Sequence, residues 1–290
     1  MGLRQTEKER QVGKRPGPSP VPGPGLVVAD GAGQEGEVTA TIAALYRHPV
    51  KGFTPEPLTE ARLETDGWFP DDRLYAVEHG PSGFDPLAPV HLSKMRFAVL
   101  ARDAVLARVR TRYDALSRTL SVEAQGRPSL SVVLDQAEGR QAFADWLTDF
   151  LGEDAAGPLR VLSAPGHRFM DSRRGHVSIL NLASVRDLEA RVGRALDPRR
   201  FRANVWVEGW PAWIEMEGAG RDLRLGAAGL EGLKPIVRCA ATHVDPDTGE
   251  RDFDLVSALF THYGHRDCGL YAAIRTGGTI AVGDAVEMMP

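Results

Sequence analysis

No stretch of the 290-residue sequence approaches the ~18 consecutive apolar residues that a membrane-spanning helix needs, and nothing is expected to cross a bilayer. Cysteine is scarce as well. With only Cys239 and Cys268, the chain cannot build the disulfide framework of a small secreted protein, nor hold a four-thiolate iron–sulfur cluster by itself. No charged segment followed by an apolar one opens the sequence, and a reducing, cytoplasmic setting is the expectation. Positive charge is not in excess: 35 Lys and Arg against 39 Asp and Glu give a net charge of −4, which argues against general nucleic-acid binding. Familiar catalytic fingerprints are missing too. The glycines at 218, 220, 226 and 229 do not match G-x-G-x-x-G, and no G-x-S-x-G elbow is present.

What is present divides into three segments. Residues 1–36 are charged and then rich in Pro and Gly, with too few apolar groups to offset the entropy of ordering, and read as a disordered tail. Residues 37–160 are mostly β, with strands expected from Thr39 to Tyr46, Ala61 to Glu64, Leu74 to Glu78, Ala98 to Arg110 and Leu120 to Glu123. One helix interrupts them, with Phe143, Trp146, Leu147, Phe150 and Leu151 on an inward face and Gly152 as its stop. A boundary is expected near residue 160, and residues 161–290 form the third segment. There a helix is predicted to start with Ser184 as N-cap, carry Val185, Leu188 and Val192 inward, and stop at Gly193 or before Pro198. Short strands then follow at Ala203 to Val207, Leu223 to Leu225, Leu230 to Leu233, Val237 to Val244, Leu270 to Ile274 and Val286 to Met289. Only Leu255 to Tyr263 reads as helical among them, a pattern that suggests a barrel more than a βαβ sheet.

The most informative stretch runs from Lys234 to Cys239 and on through Asp245-Pro246-Asp247-Thr248-Gly249. It sets a thiol directly after an arginine. A neighbouring cation favours the thiolate, the form that attacks electrophiles and binds soft metals, whereas a thiol in an apolar run is otherwise a small core residue. Lys51, Arg73, Arg202 and Arg238 stand at strand ends, and their convergence on the thiol would make an anion pocket, because arginine pairs with phosphate through two hydrogen bonds. A zinc site is the competing reading, from Cys239 and His243 together with His262, His265 and Cys268. On a strand, however, residues four apart lie about 13 Å from each other, at ~3.3 Å per residue. The histidines at 48, 79, 91, 167 and 176 are isolated and read as surface or hydrogen-bonded core residues. The acidic cluster from 245 to 254 reads as a turn before it reads as a cation site.

Several of these motifs resemble the MOSC domain family, named for the C-terminal domain of molybdenum cofactor sulfurase. Phe201-Arg202-Ala203-Asn204-Val205 is similar to its F-R-P-N-[IV] strand and Lys234-Pro235-Ile236-Val237-Arg238-Cys239 to its K-P-C-x-R-C run. Asp245 to Gly249 resembles its V-D-P-x-T-G turn, and Gly278 to Asp284 its closing G-x-I-x-V-G-D. In the N-terminal half, Leu45 to Gly52 resembles the Y-P-V-K-S opening of the β-barrel domain that precedes MOSC domains, and Asp72-Arg73-Leu74-Tyr75 its D-R-x-[WFY].

The resemblance implies a mostly β fold, a MOSC-type β-barrel preceded by a smaller N-terminal β-barrel-like domain, with a few short helices. It further implies a molybdenum cofactor of the molybdopterin type. Cys239 would be the thiolate ligand of the metal and the catalytic residue, and Lys51, Arg73, Asn181, Arg202, Asn204 and Arg238 would hold the cofactor. By the same resemblance the chain is an oxidoreductase acting on a small N-hydroxylated or other N–O substrate, with electrons from a separate flavin or iron–sulfur reductase. Pyridoxal phosphate attaches to the family only as a general label. A sulfur or cofactor carrier using Cys239, and a structural zinc protein, are the alternatives. Three positions depart from the family pattern: Ile236 replaces a first cysteine, Gly52 a serine and Ala203 a proline.

Overall fold

Alternation of buried and exposed side chains, as in Glu60–Leu63 and Arg110–Asp114, is the signature of strands that pack on one face, and it sets the architecture. In the computed structural model, residues 40–155, 157–173 and 177–289 are described. The expected tail, Thr39 and His176 lie outside them. The elements run β1 (Thr41–Arg47), β2 (Glu56–Leu58), β3 (Glu60–Leu63), β4 (Ala76–His79), β5 (Arg110–Asp114), β6 (Thr119–Glu123), β7 (Leu130–Val133), α1 (Ala137–Leu151) and β8 (Leu159–Leu162). They continue with β9 (Val177–Asn181), α2 (Leu182–Val192), β10 (Val205–Glu208), β11 (Asp222–Leu225), β12 (Ala228–Val237), α3 (Leu255–Tyr263), β13 (Asp267–Thr276), β14 (Gly278–Ala281) and β15 (Val286–Met288). The described residues are mostly β with three α-helices, as the sequence indicates.

The largest sheet has the order β15-β11-β12-β13-β9-β10-β1-β2 and so draws strands from both sides of residue 160. Its pairs are antiparallel except β9 with β10, which α2 connects as a crossover, so one βαβ unit sits inside the β architecture. Smaller sheets pair β14 with β3, β4 with β8, and β5-β6-β7 in series. Ile42, Leu45, Ile179, Val205, Leu230 and Ile274 lie in one buried cluster with the large sheet. A second cluster packs Phe53, Phe143, Leu147, Leu106 and Leu134 between α1 and the N-terminal strands, and a third joins α2 to α3 through Leu180, Leu188, Leu259 and Cys268.

Helix α1 matches its expected face: Phe143, Leu147 and Leu151 are buried, and Gly152 caps it at a positive φ of 57°. Three expectations are corrected. Ser184 does not cap α2; Asn181 at the end of β9 does, its Oδ1 accepting from Ala183 N at 3.0 Å, while Ser184 is buried and donates to Glu215. The strand expected over Ala98 to Arg110 is broken, because Arg102 and Asp103 both turn back to the Val99 carbonyl and Ala104–Arg108 forms a 3-10 turn. The strand expected over Val237 to Val244 stops at Val237; Thr242 N reaches the Cys239 carbonyl at 2.9 Å and Ala240–His243 becomes a second 3-10 turn. That turn places Cys239 at the mouth of a cavity. Just before it, the β12–β13 ladder slips in register around Lys234 and Pro235, where a proline without an N–H is tolerated and the strand is re-aimed.

Candidate functional site

A cavity of about 460 Å³ collects cations from the ends of elements in both halves of the chain. Among the described residues its wall contains eight basic residues, Lys51, Arg73, Lys94, Arg200, Arg202, Lys234, Arg238 and Arg266, and one carboxylate, Asp171. Cys239, half-buried, lines the same space. The convergence that the sequence left open is therefore present for Lys51, Arg73, Arg202, Arg238 and Cys239.

Each cation is held by the fold. Lys51 follows β1, is buried, and donates to the Phe169 carbonyl at 2.8 Å and to the Asp171 carboxylate. Burial lowers its pKa, an effect that Asp171 opposes. Arg73 stands at φ 51° in a turn whose N–H binds the His48 carbonyl at 2.7 Å. Its guanidinium is paired with buried Asp72 and donates to the Arg202 carbonyl at 3.2 Å. Burial lowers its pKa, but Asp72 and Asp171 outweigh that and raise it. Arg202 closes the 3-10 turn Pro198–Phe201, also at positive φ (52°). Burial first, then repulsion from Arg73, pull it down to about 9. Two left-handed, non-glycine residues in one cavity wall are backbone strain at a candidate site.

Arg238 is turned inward: Nε donates to the Cys268 carbonyl and Nη1 to the Phe201 carbonyl, both at 2.7 Å, with the guanidinium 5.2 Å from the Phe201 ring centre. Its side chain makes no hydrogen bond to its sequence neighbour Cys239 among the described residues. The cation on the sulfur is Lys94, whose Nζ lies 3.1 Å from Cys239 Sγ and 3.7 Å from Asp171 Oδ2. Burial lowers the Lys94 pKa, but Asp171 and the Cys239 sulfur outweigh it and raise the ammonium above its ordinary value. Burial would raise Asp171, yet Lys51, Lys94 and Arg73 hold its carboxyl well below the usual range.

Two expected residues are placed elsewhere. Asn181 is fully buried at the α2 cap, and its Nδ2 donates to the Pro211 carbonyl (2.7 Å) and Glu215 (2.9 Å), so its side chain is committed to structure. Asn204 is likewise buried; its Oδ1 accepts from Ser178 N and Oγ, and its Nδ2 donates to the Tyr46 carbonyl. Neither lines the cavity, although Ser178, fixed by Asn204, does. Sequence reasoning missed Lys94, Asp171, Ser178 and Tyr271. The zinc reading does not survive: no group of three or more His, Cys, Asp or Glu is placed to hold a metal ion among the described residues. His243 instead pairs with Asp254, and Cys268 is buried at the α2–α3 packing. The acidic run is a turn, with Asp245 Oδ1 accepting from Asp247 and Thr248 N and the flanking carboxylates tied to Arg199, Arg200 and Arg194.

These features define a β protein with a cation-lined anion pocket around one thiol. The MOSC domain model matches residues 166–287 and the MOSC N-terminal beta barrel domain model residues 39–156, and the chain belongs to this family, which is associated with molybdenum-cofactor binding. It is similar to the human mitochondrial amidoxime-reducing component 1, 28% identical over 190 residues (53% of this chain, 54% of that protein). It is also similar to the bovine mitochondrial amidoxime reducing component 2, 31% identical over 127 residues (39% and 37%). The chain thus matches about half or less of the length of these curated relatives. Among solved structures, the YUAD protein from Bacillus subtilis aligns over 86% of this chain and 95% of that one, at 14% identity and a TM-score of 0.42. No helix among the described residues is long and apolar enough to cross a membrane.

Proposed function

We propose that this chain binds a molybdenum cofactor of the molybdopterin type and is an oxidoreductase that removes oxygen from N-hydroxylated or other N–O substrates. Electrons would come from a separate flavin or iron–sulfur reductase, since two cysteines cannot hold such a cluster here. The observation that carries this reading is the single thiol, Cys239, in a cavity with eight cations and one carboxylate.

The donor set fits such a group. Nη2 of Arg202 and Nη2 of Arg238 are buried with no hydrogen-bond partner among the described residues, and an unpaired buried donor is costly unless a ligand satisfies it. Cys239 would hold the metal through thiolate, a soft ligand suited to a thiophilic centre. Lys51, Arg73, Arg202 and Arg238 would hold the phosphate end, arginine forks pairing with phosphate oxygens. When bound, the group supplies the two-electron chemistry of oxygen removal. The chain's own part is to bind, to orient through fixed guanidinium groups, and to keep the half-buried thiol facing the cavity. Asn181 and Asn204 act at one remove, by holding α2 and Ser178.

The test is metal and pterin stoichiometry of protein purified from a cofactor-competent host, for wild type, Cys239→Ala and Cys239→Ser. Stoichiometric molybdenum that disappears in both variants, with the fold retained, supports the reading. Metal-free wild type carrying a labile sulfur on Cys239 would replace it with a sulfur carrier.

A further inference from the structure

The segment from His167 to Arg173 borders two cavities. Its backbone is fixed at Phe169, whose N–H donates to the Arg73 carbonyl at 2.9 Å and whose carbonyl accepts from Lys51 Nζ at 2.8 Å. Met170, Asp171 and Ser172 line the cavity that Cys239 opens on. His167, Arg168, Ser172 and Arg173 line a second one, also of about 460 Å³, so Ser172 belongs to both walls. The second cavity has the size of a small-molecule site, and Trp68 and Val90 give it apolar surface.

Its charge is of one sign. Arg168 and Arg173 stand on its wall with no carboxylate beside them among the described residues. Arg168 is half-buried; its Nη1 donates to the carbonyl of its neighbour His167 at 2.9 Å, and its Nε is buried with no partner among the described residues. The carboxylates whose charge reaches Arg168 are already engaged, Asp71 by Arg47 at 3.1 Å and Asp72 by Arg73. His91 and His167 have lowered pKa values, burial being the first cause in each, so at neutral pH the two arginines carry the charge. A buried donor left open near a second guanidinium suits an anion, and the indole ring suits a flat apolar group next to it.

We propose that the second cavity is the specificity pocket for the substrate and selects aromatic carboxylates: the carboxylate pairs with Arg168 and Arg173, the ring lies against Trp68 and Val90, and the N–O end reaches the first cavity past Ser172. The role of the N–O end rests on the proposed function; recognition of the aromatic anion does not. Cationic substrates are disfavoured by the same two guanidinium groups.

The experiment titrates the cofactor-free full chain, at neutral pH and physiological salt, with 4-carboxybenzamidoxime and with its neutral parent benzamidoxime, and reads both affinities by calorimetry. The wild type is expected to bind the carboxylated probe about tenfold more tightly than the parent, and the double variant Arg168→Met, Arg173→Met to bind the two alike. Should the double variant fold poorly, exposed Arg173→Met alone repeats the measurement and is expected to lose part of the preference. Equal affinities in the wild type overturn the proposal. So does a preference that survives in the double variant, because the carboxylate then sits among the cations of the first cavity. A nucleotide released together with pterin from the loaded wild type, and missing from the double variant, also overturns it, by assigning the pocket to the cofactor. In molybdenum-loaded protein the double variant is expected to raise KM for the carboxylated probe about tenfold and to leave KM for the parent unchanged. Absence of molybdenum from the wild type overturns the proposed function alone, since the affinities are measured on cofactor-free protein.

Discussion

Arg73 donates from Nη2 to the backbone carbonyl of Arg202 at 3.2 Å, so one cavity arginine holds the main chain of another. The two side chains are nevertheless unlike in energy. Arg73 is paired with buried Asp72, whereas Arg202 is buried beside Arg73 with Nη2 unpartnered among the described residues. Arg73→Met should therefore destabilise the cofactor-free protein by ~3–5 kcal/mol, by leaving the Asp72 carboxylate uncompensated. Arg202→Met should leave stability unchanged or raise it by ~1–2 kcal/mol, by removing a desolvated charge. Both should lose the cofactor. Chemical denaturation of cofactor-free protein checks this, and equal losses of stability in the two variants would contradict it.

Gly52 stands where the family pattern has serine, and the structure explains why that hydroxyl cannot simply be put back. Its φ is +89°, and a Cβ there would sit 2.6 Å from the Ala98 carbonyl oxygen, a backbone atom that cannot swing aside. Gly52→Ser is expected to cost ~2–3 kcal/mol and to lower cofactor retention, despite supplying a phosphate-binding group. Unfolding midpoints and pterin content of the purified variant measure it. A variant as stable as wild type would show that the 98–99 backbone yields.

How much of this was legible beforehand depended on how local the cause was. Helix α1 is written in its own 15 residues, by the spacing of Phe143, Leu147 and Leu151 and by the glycine that ends it, and it was found as expected. Cys239, Lys51, Arg73, Arg202 and Arg238 sit in short motifs that single them out one by one, and the structure brings them to the wall of one cavity. The strand expected over Val237 to Val244 failed because valine and threonine content cannot reveal a turn made by one bond, Thr242 N to the Cys239 carbonyl. Ser184 reads as the cap because its hydroxyl type suits that position, whereas Asn181, an equally good capping type, ends the strand directly before the helix and takes the role. Lys94 and Asp171 gave no signal at all. Each is an ordinary charged residue in a loop, and their importance comes only from contacts across more than 60 residues of chain.

The two thiols should differ sharply in reactivity. Cys268 is fully buried in the α2–α3 cluster, and burial pushes it up to about 12, with Arg238 offsetting part of the effect. Cys239 is half-buried and opens on the cavity. A disulfide reagent such as dithionitrobenzoate is expected to titrate one thiol in the native cofactor-free protein and two after denaturation. Cys268→Ala should cost about 1–2 kcal/mol as a small core truncation, with the native titre still one. A native titre of two would mean that the α2–α3 packing opens on the timescale of the reaction.

The pH dependence of stability should rest heavily on His48. Its ring is fully buried, with Nδ1 3.2 Å from Asp72 Oδ1 and 3.4 Å from Arg73 Nη1. Burial, then Arg73 and Arg202, lower it from 6.5 to about 3, against a smaller opposing pull from Asp72. The imidazole is therefore neutral in the folded protein at pH values where the unfolded chain already takes up a proton. Between about 6.5 and 3 the unfolded state binds more protons, so stability falls as pH falls, by about 2 kcal/mol from pH 7.5 to 5 for this group. Asp72 is held low in the fold, so its contribution is lost only below its ordinary value of 3.8 and does not enter that window. His91, His167 and His243 are lowered too, burial being the first cause in each, and add to the slope in the same direction. Urea unfolding of wild type and His48→Gln between pH 5 and 7.5 separates the terms. The variant, which has no imidazole to protonate, should lose the His48 share and show a shallower profile, while identical slopes would mean that His48 is protonated without unfolding the site around Arg73.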